Sequence, residues 1–336
     1  MKWHAFLLVK SLVGLKIKTV MPKTCQVLSF GLAAILVAQV GGPLRAPGAT
    51  NAGVAPAQIQ PDFETRLGAI VRGAKDRRQI ALLFTGHEFA EGADSILTDL
   101  GRFKAKASFF LTGDFLQNTN FASIVRRLLA DGHYLGPHSD KHLLYCSWDK
   151  RETLVSNAQF KQDLEDNLSK IEAQFRDSAA APGSSQRAIE KRFGTALPPS
   201  TDLPLARAEN QRIRYFLPPF EHHNEEIAAW TQQAGLTLIN FTPGTRSNAD
   251  YTGEADKNFV ASKAILESIL NKEQSDPKGL NGFLLLLHLG AGPGRADKFH
   301  PLLGELLDAL TRKGYQFVAV TELLAPRPMA ENQVSI

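Results

Sequence analysis

The chain has few cysteines. Its 336 residues include only Cys25 and Cys146. Since Cys25 lies in a segment that we expect to be removed, Cys146 is left without an intramolecular partner, and a disulfide-stabilised miniprotein is excluded. The chain is 43% apolar, which also excludes a collagen-like or largely disordered protein. We therefore expect a large hydrophobic core, with Cys146 as a buried apolar side chain.

Beyond its first 46 residues, the sequence has no excess of positive charge. The whole chain carries 38 Lys and Arg against 34 Asp and Glu, a formal net charge of +4. Residues 1–46 hold six basic residues and no acidic one, so the rest carries 32 basic and 34 acidic residues, a net charge of −2. This balance gives no electrostatic footprint for a polyanion, and we expect no nucleic-acid partner.

The apolar run near the N-terminus is too short to span a bilayer comfortably. Residues 27–40 form 14 uncharged, mainly apolar positions, preceded by Lys23 and followed by small residues. This arrangement is typical of a secretory signal. We predict a leader at residues 1–49, with Met21 as an alternative start. The mature protein is then exported, periplasmic or extracellular, without a stable membrane span. An uncleaved N-terminal anchor is the alternative.

Short apolar runs alternate with helical patterns from residue 77 to residue 325. Continuous apolar runs such as 80–84 and 283–287 are typical of buried parallel strands. The apolar spacing in 160–175 is that of a helix. We predict an α/β fold, a distorted (β/α) barrel in a single domain. The remaining segments are predicted to be a linker with an N-terminal lead-in (50–76), a surface insertion (178–210) and a C-terminal tail (326–336).

Side chains suited to metal binding and acid–base chemistry follow three predicted strands. His87 and Glu88 follow the first, His138 and His142 the third, and His288 ends a long apolar strand. Since the carboxyl ends of the strands form the active-site face of a β/α barrel, we expect these residues to converge. Two histidines at i and i+4 with one carboxylate leave metal positions open for water and substrate. Taken singly, the histidine pair is more typical of an exposed surface, and His288 of a hydrogen-bonded core.

The order of these motifs resembles that of the polysaccharide deacetylases with a NodB homology domain, carbohydrate esterase family four. The resemblance spans residues 78–325, nearly all of the mature chain. Its most specific part is Asp131 to His138 followed by His142, which is similar to the family's His-x-x-x-His motif. The other motifs of the family correspond to residues 85–89, 105–113, 216–220 and 284–288.

The resemblance implies a specific site. The family binds one divalent metal, here expected to be zinc with cobalt or nickel as alternatives, through a carboxylate and two histidines. It thereby assigns Glu88, His138 and His142 as metal ligands. It further implies His87 as the base that activates water and His288 as the acid that protonates the leaving group. The expected partner is a carbohydrate bearing N- or O-linked acetyl groups.

Three family positions carry other residues. Glu88 stands where the family has a metal-binding Asp, and His87 stands where it has the base Asp. A neutral imidazole can act as a base near pH 7, but His87 as ligand with Glu88 as base is the alternative. Leu217 replaces an Arg that contacts the base in the family. Two further functions therefore remain open: a catalytically impaired carbohydrate-binding protein on the same barrel, and a deacylase of a non-polysaccharide substrate.

Two loops that follow predicted strands are expected to face the cleft. They supply four candidate substrate contacts, with ordinary exposed-loop roles as the alternative: Phe220, Glu221, Arg246 and Asp250. A backbone N–H near Phe220 is a candidate for holding the oxyanion of the reaction, as in the family. The adjacent His222 and His223 raise the alternative of a second metal site.

Overall fold

The computed structural model describes residues 63–180 and 213–326. The predicted leader, most of the predicted insertion and nearly all of the predicted tail lie outside these residues. In the described part, no helix is both long and apolar enough to cross a membrane. The predicted α/β class is confirmed, because strands and helices alternate along the chain.

The strands are short, and most lie in one sheet. The described residues contain nine: β1 (Glu64–Arg66), β2 (Ala69–Arg72), β3 (Gln79–Gly86), β4 (Ala107–Leu111), β5 (Tyr134–Pro137), β6 (Tyr215–Phe216), β7 (Thr237–Leu238), β8 (Phe283–His288) and β9 (Gln316–Phe317). They also contain eight α-helices: α1 (Ala93–Arg102), α2 (Gly113–Gln117), α3 (Ala122–Ala130), α4 (Asn157–Ala180), α5 (Glu225–Gln233), α6 (Ser262–Ser275), α7 (Leu303–Arg312) and α8 (Val320–Leu323).

The main sheet is mixed. Its order is β1-β2-β8-β3-β4-β5, and β9 also pairs with β3. The pairs among β3, β4, β5, β8 and β9 are parallel, whereas β1 and β2 add an antiparallel edge. In the β3–β8 register, Thr85 lies opposite His288. The residues that follow β3 therefore come to the same edge as the end of β8.

A second pair of strands, β6 and β7, completes a distorted barrel. They pair in parallel. On one side the backbone N–H of Leu217 donates to the carbonyl of Pro137, at 3.3 Å. On the other side Ile70 forms a bridge with Ile239. Because both edges of the pair are linked to the main sheet, the strands close on themselves, and the predicted single-domain barrel fold is confirmed.

The two faces of β3 belong to separate parts of the core. Ile80, Leu82 and Phe84 pack with apolar side chains from the surrounding helices. Ala81 and Leu83 pack inside the barrel with residues of the other strands. Since both faces are buried, the strand has the continuous apolar sequence from which it was predicted.

Three segments differ from the prediction. Residues 64–72 were assigned to a linker and lead-in but form the hairpin β1–β2, whose turn needs only Leu67 and Gly68 with positive φ. The predicted strand 236–241 keeps only β7, because its backbone changes partner: Ile239 donates to Phe216, and Asn240 donates to Ile70. Helix α4 runs to Ala180, so the predicted insertion begins within a helix.

Candidate active site

Three imidazoles meet at the carboxyl end of the main sheet. The ring centre of His142 lies 4.6 Å from that of His87 and 5.2 Å from that of His138. His87 follows β3, whereas His138 and His142 follow β5, two strands away in the sheet. Parallel pairing through β4 therefore brings His87 close to two predicted site residues that lie more than 50 positions further along the sequence.

His138 is held as a neutral ring with one free nitrogen. Its side chain is 1% exposed, and burial lowers its pKa to about 3. Nδ1 lies 2.8 Å from the carbonyl oxygen of Leu217. A carbonyl only accepts hydrogen bonds, so Nδ1 carries the proton and the lone pair is on Nε2. Burial likewise lowers the pKa of His142, to about 2. Both rings are thus in the form that binds metals.

Helix α4 holds the loop that carries these two histidines. Asp163, Asn167 and Lys170 recur at helical spacing along one side of α4. Asp163 accepts the backbone N–H of Asp140 at 3.2 Å, and Asn167 accepts that of His138 at 2.9 Å. Lys170 forms an ion pair with Asp140 at 2.5 Å. The sequence analysis missed this role. The signal was a polar stripe inside an otherwise amphipathic helix.

Replacing Asn167 with leucine is expected to destabilise the fold. Asn167 is fully buried, and its Nδ2 donates to the carbonyl of Leu111 at 3.2 Å. Leucine would leave buried backbone groups of His138 and Leu111 without this partner, a loss of about 1–3 kcal/mol in the free energy of unfolding. Urea unfolding measures it. Gln162→Leu, at an exposed position of the same helix, is the control and should change stability by less than about 0.5 kcal/mol. Equal losses in the two variants would contradict the role of Asn167.

The predicted ligand Glu88 stands apart from the histidines. Its side chain is exposed, and no described contact joins it to His138 or His142. Within residues 63–180 and 213–326, no three His, Cys, Asp or Glu side chains are arranged to hold a metal ion. The ring planes of His87 and His142 differ by only 10°. Since imidazole lone pairs lie in the ring plane, these two do not converge. The donor types fit a divalent metal, but one ring must rotate to bind it.

His288 is paired with a buried carboxylate. Its Nδ1 lies 2.6 Å from Oδ1 of Asp250, and its backbone N–H donates to Oδ2 at 2.9 Å. Burial opposes protonation of His288, but the charge and hydrogen bond of Asp250, together with the charge of Glu221, outweigh it and raise the pKa. Asp250, predicted to contact substrate, is 5% exposed and directs both oxygens at His288. The geometry gives it a positioning role.

A buried arginine holds the loop that carries Asp250. Arg295 is 0% exposed. Its guanidinium donates to the carbonyls of Thr252 at 2.7 Å and Val260 at 2.8 Å, and to Oγ of Ser262 at 2.9 Å. It therefore ties two distant points of the segment after Asp250 to the loop that follows β8. Sequence reasoning did not find Arg295, because an arginine in a glycine-rich stretch is usually exposed.

Two of the other predicted substrate contacts join the site. Phe220 is 40% exposed, and its ring lies 4.3 Å from that of His142. Burial raises the pKa of Glu221 to about 7, although the charge of His288 lowers it in part. Arg246 is exposed, and its backbone N–H donates to Oγ of Ser268 on α6. No described contact joins it to the histidines.

His222 and His223 both form hydrogen bonds with backbone carbonyl groups. Nε2 of His222 lies 3.0 Å from the carbonyl oxygen of Ser147. Nε2 of His223 lies 3.3 Å from that of Arg66. Both side chains are buried, and their rings bond to two separate segments. These contacts account for both residues without a second metal.

The sequence is similar to a known family and to a curated protein. Residues 72–189 match the polysaccharide deacetylase family. A peptidoglycan-N-acetylglucosamine deacetylase of Bacillus cereus is 25% identical over 241 residues, which cover 70% of this chain and 85% of that protein.

Solved structures share the fold at low identity. A family 4 carbohydrate esterase of Bacillus subtilis is 18% identical with a TM-score of 0.52, covering 82% of this chain and 96% of that one. A carbohydrate esterase family 4 pseudoenzyme of Bacillus anthracis is 17% identical with a TM-score of 0.51, covering 77% and 70%. The match over residues 72–189 and the ordered motifs support placing the chain in the polysaccharide deacetylase family, and the solved structures show that it shares the fold of carbohydrate esterase family 4.

Proposed function

We propose that the protein is an exported, metal-dependent hydrolase that removes N- or O-linked acetyl groups from a carbohydrate. The observation that carries this proposal is the histidine cluster at the carboxyl end of the main sheet. His138 and His142 are neutral and lie close to His87, and the His288–Asp250 pair is at the end of β8. Family membership supports hydrolysis of carbohydrate amide or ester bonds. The name of the Bacillus cereus relative supports an N-acetylglucosamine-containing glycan of the cell wall as the first substrate to test.

We propose that His138 and His142 hold one divalent metal, with zinc first and cobalt or nickel as alternatives. Glu88 is the third ligand expected from the family pattern, but His87 lies closer to the pair. A bound divalent metal lowers the pKa of water towards 7 and polarises the acyl oxygen. We propose that whichever of His87 and Glu88 does not bind the metal takes the proton from the attacking water.

His288 supplies the opposite proton transfer. Asp250 occupies its Nδ1, so Nε2 is the atom that donates a proton to the leaving amine or alcohol. The raised pKa keeps a larger fraction of the ring protonated near neutral pH. A base that activates water and an acid that protonates the leaving group are what hydrolysis of an acyl bond requires.

A second candidate function is carbohydrate binding without turnover. Two observations favour it: the fully buried Leu217 in place of the family's arginine, and the absence of a converged set of three ligands in the described residues. A Bacillus anthracis protein of this fold is itself described as a pseudoenzyme. The two functions share the cleft and differ in acetate release.

Metal content and acetate release test the proposal together. We expect one metal per chain, and acetate release from an N-acetylated glycan that stops on chelation and returns with zinc. Glu88→Gln and His87→Gln separate the two candidate third ligands, since only the ligand variant should lower metal affinity, by about tenfold or more. Saturable glycan binding without acetate release under any metal supplement would favour the second candidate.

A further inference from the structure

Two exposed aromatic rings lie beside the histidine cluster. Trp148 is 60% exposed and Phe220 is 40% exposed. Their ring centres are 5.5 Å apart, with the rings nearly perpendicular at 78°. Phe220 in turn contacts His142. The two rings therefore form an L-shaped apolar corner that is continuous with the candidate active site.

Trp148 lies at the tip of a well-anchored turn. Cys146 bridges to Thr153 across its base, and the N–H of Arg151 donates to the carbonyl of Ser147 at 3.0 Å. From outside the turn, Nδ2 of Asn224 donates to the carbonyl of Arg151 at 2.8 Å. An exposed tryptophan on a braced turn is preorganised, so little entropy is lost when a ligand packs against it.

The Trp148 ring is also supported from a second side. The ring of His222 lies 4.6 Å from it at 36°. The Nε2 atom of His222 is bonded to the carbonyl of Ser147, so the support is itself fixed. The arrangement presents one face of Trp148 to solvent in a defined orientation.

The chemistry around the corner indicates its ligand. Exposed charged residues, Asp149 and Lys150, follow Trp148 directly and interrupt the apolar surface. Lipid and protein partners are bound by large contiguous apolar areas. A sugar ring has an apolar C–H face and a rim of hydroxyl groups, so it matches an aromatic face bordered by polar side chains.

We propose that Trp148, together with Phe220, forms a sugar-binding subsite next to the candidate catalytic centre. This inference rests on the proposed function for its substrate class. It adds a specificity-determining residue, Trp148, that no motif of the sequence indicated.

Calorimetric titration of the full chain with N-acetylglucosamine tetramer tests the subsite. His288→Ala serves as a common background to prevent turnover during the titration. In that background Trp148→Ala is expected to raise the Kd about tenfold. Trp148→Phe, which keeps an aromatic face, should stay within about threefold of the parent. Leu154→Ala is the matched control, because Leu154 is a 56% exposed apolar residue close in sequence to the same turn.

Each outcome decides for or against the subsite. An unchanged Kd in Trp148→Ala, an equal loss in Leu154→Ala, or no saturable tetramer binding by the parent would overturn it. Trp148-dependent binding to anionic lipid vesicles instead of the tetramer would also overturn it, in favour of a membrane surface. Acetate release is measured separately on the chain with His288 intact. Binding that depends on Trp148 without acetate release would support the subsite and contradict the deacetylase function. Acetate release with a Kd that does not depend on Trp148 would support the deacetylase function and contradict the subsite.

Discussion

Alanine in place of His138 is expected to abolish metal binding and acetate release together. His138 is the most rigidly held of the three clustered imidazoles, with its backbone N–H on Asn167 and its Nδ1 on the carbonyl of Leu217. These contacts leave Nε2 as the one ring nitrogen of His138 that is free to bind a metal. Without that atom the site keeps two candidate nitrogen donors and the distant Glu88, so we expect metal affinity to fall by more than about a hundredfold. Metal content after gel filtration and acetate release report the two losses.

His133 provides the matched control for this experiment. It is also a buried histidine, and burial lowers its pKa to about 4. Its Nδ1 accepts the backbone N–H of Ala107, at the amino end of β4 and away from the cleft. His133→Ala should therefore lower stability while keeping one metal per chain. Full activity in His138→Ala, or equal metal loss in the two variants, would contradict the assignment of His138.

The sequence predicted the fold well where strands are buried on both faces. The runs that became β3, β4 and β8 have an uninterrupted apolar sequence, because helices cover one face and the barrel interior the other. It failed at the β1–β2 hairpin, an edge with exposed positions and too few residues for a clear period of two. It also predicted too long a strand at β7, because the backbone there changes hydrogen-bonding partner within a few residues. This is an effect of tertiary structure that no local sequence pattern shows.

The candidate site shows the same division. His87, His138, His142 and His288 follow strands, and parallel pairing brings that edge together, so their convergence followed from topology. The roles of Asn167 and Arg295 did not follow from topology, since each residue acts through backbone atoms of another segment. Asp250 was predicted to contact substrate because its loop follows a strand and was expected to face the cleft. Its burial against His288 depends on the way the loop folds back over β8.

Asparagine in place of Asp250 is expected to slow the reaction and to shift its pH dependence. The Asp250 carboxylate raises the pKa of His288 against the opposing effect of burial. A neutral amide removes that charge, so the pKa of His288 falls. Because a general acid must be protonated, activity is lost as pH rises through this pKa, and the alkaline limb of kcat/KM should move to lower pH. The loss of orientation and protonation together should lower kcat by about a hundredfold.

The pH dependence of the free energy of unfolding should have the same sign as that of activity. A group whose pKa is higher in the folded than in the unfolded state stabilises the fold below its unfolded pKa, and this contribution disappears as pH rises through the folded value. The parent should therefore lose the His288–Asp250 contribution as pH rises through the raised pKa of His288, whereas Asp250→Asn should lack it throughout.

Asp256→Asn is the control for Asp250→Asn, because this exposed carboxylate lies in the same loop and accepts the N–H of Gly253 rather than contacting His288. It should leave the pH profile unchanged. A slower Asp250→Asn variant whose alkaline limb stays in place would mean that Asp250 only supports the loop. An unchanged rate would mean that His288 is not the acid. A shift of the limb in Asp250→Asn alone would require the charge of Asp250 to act on the proton that His288 donates.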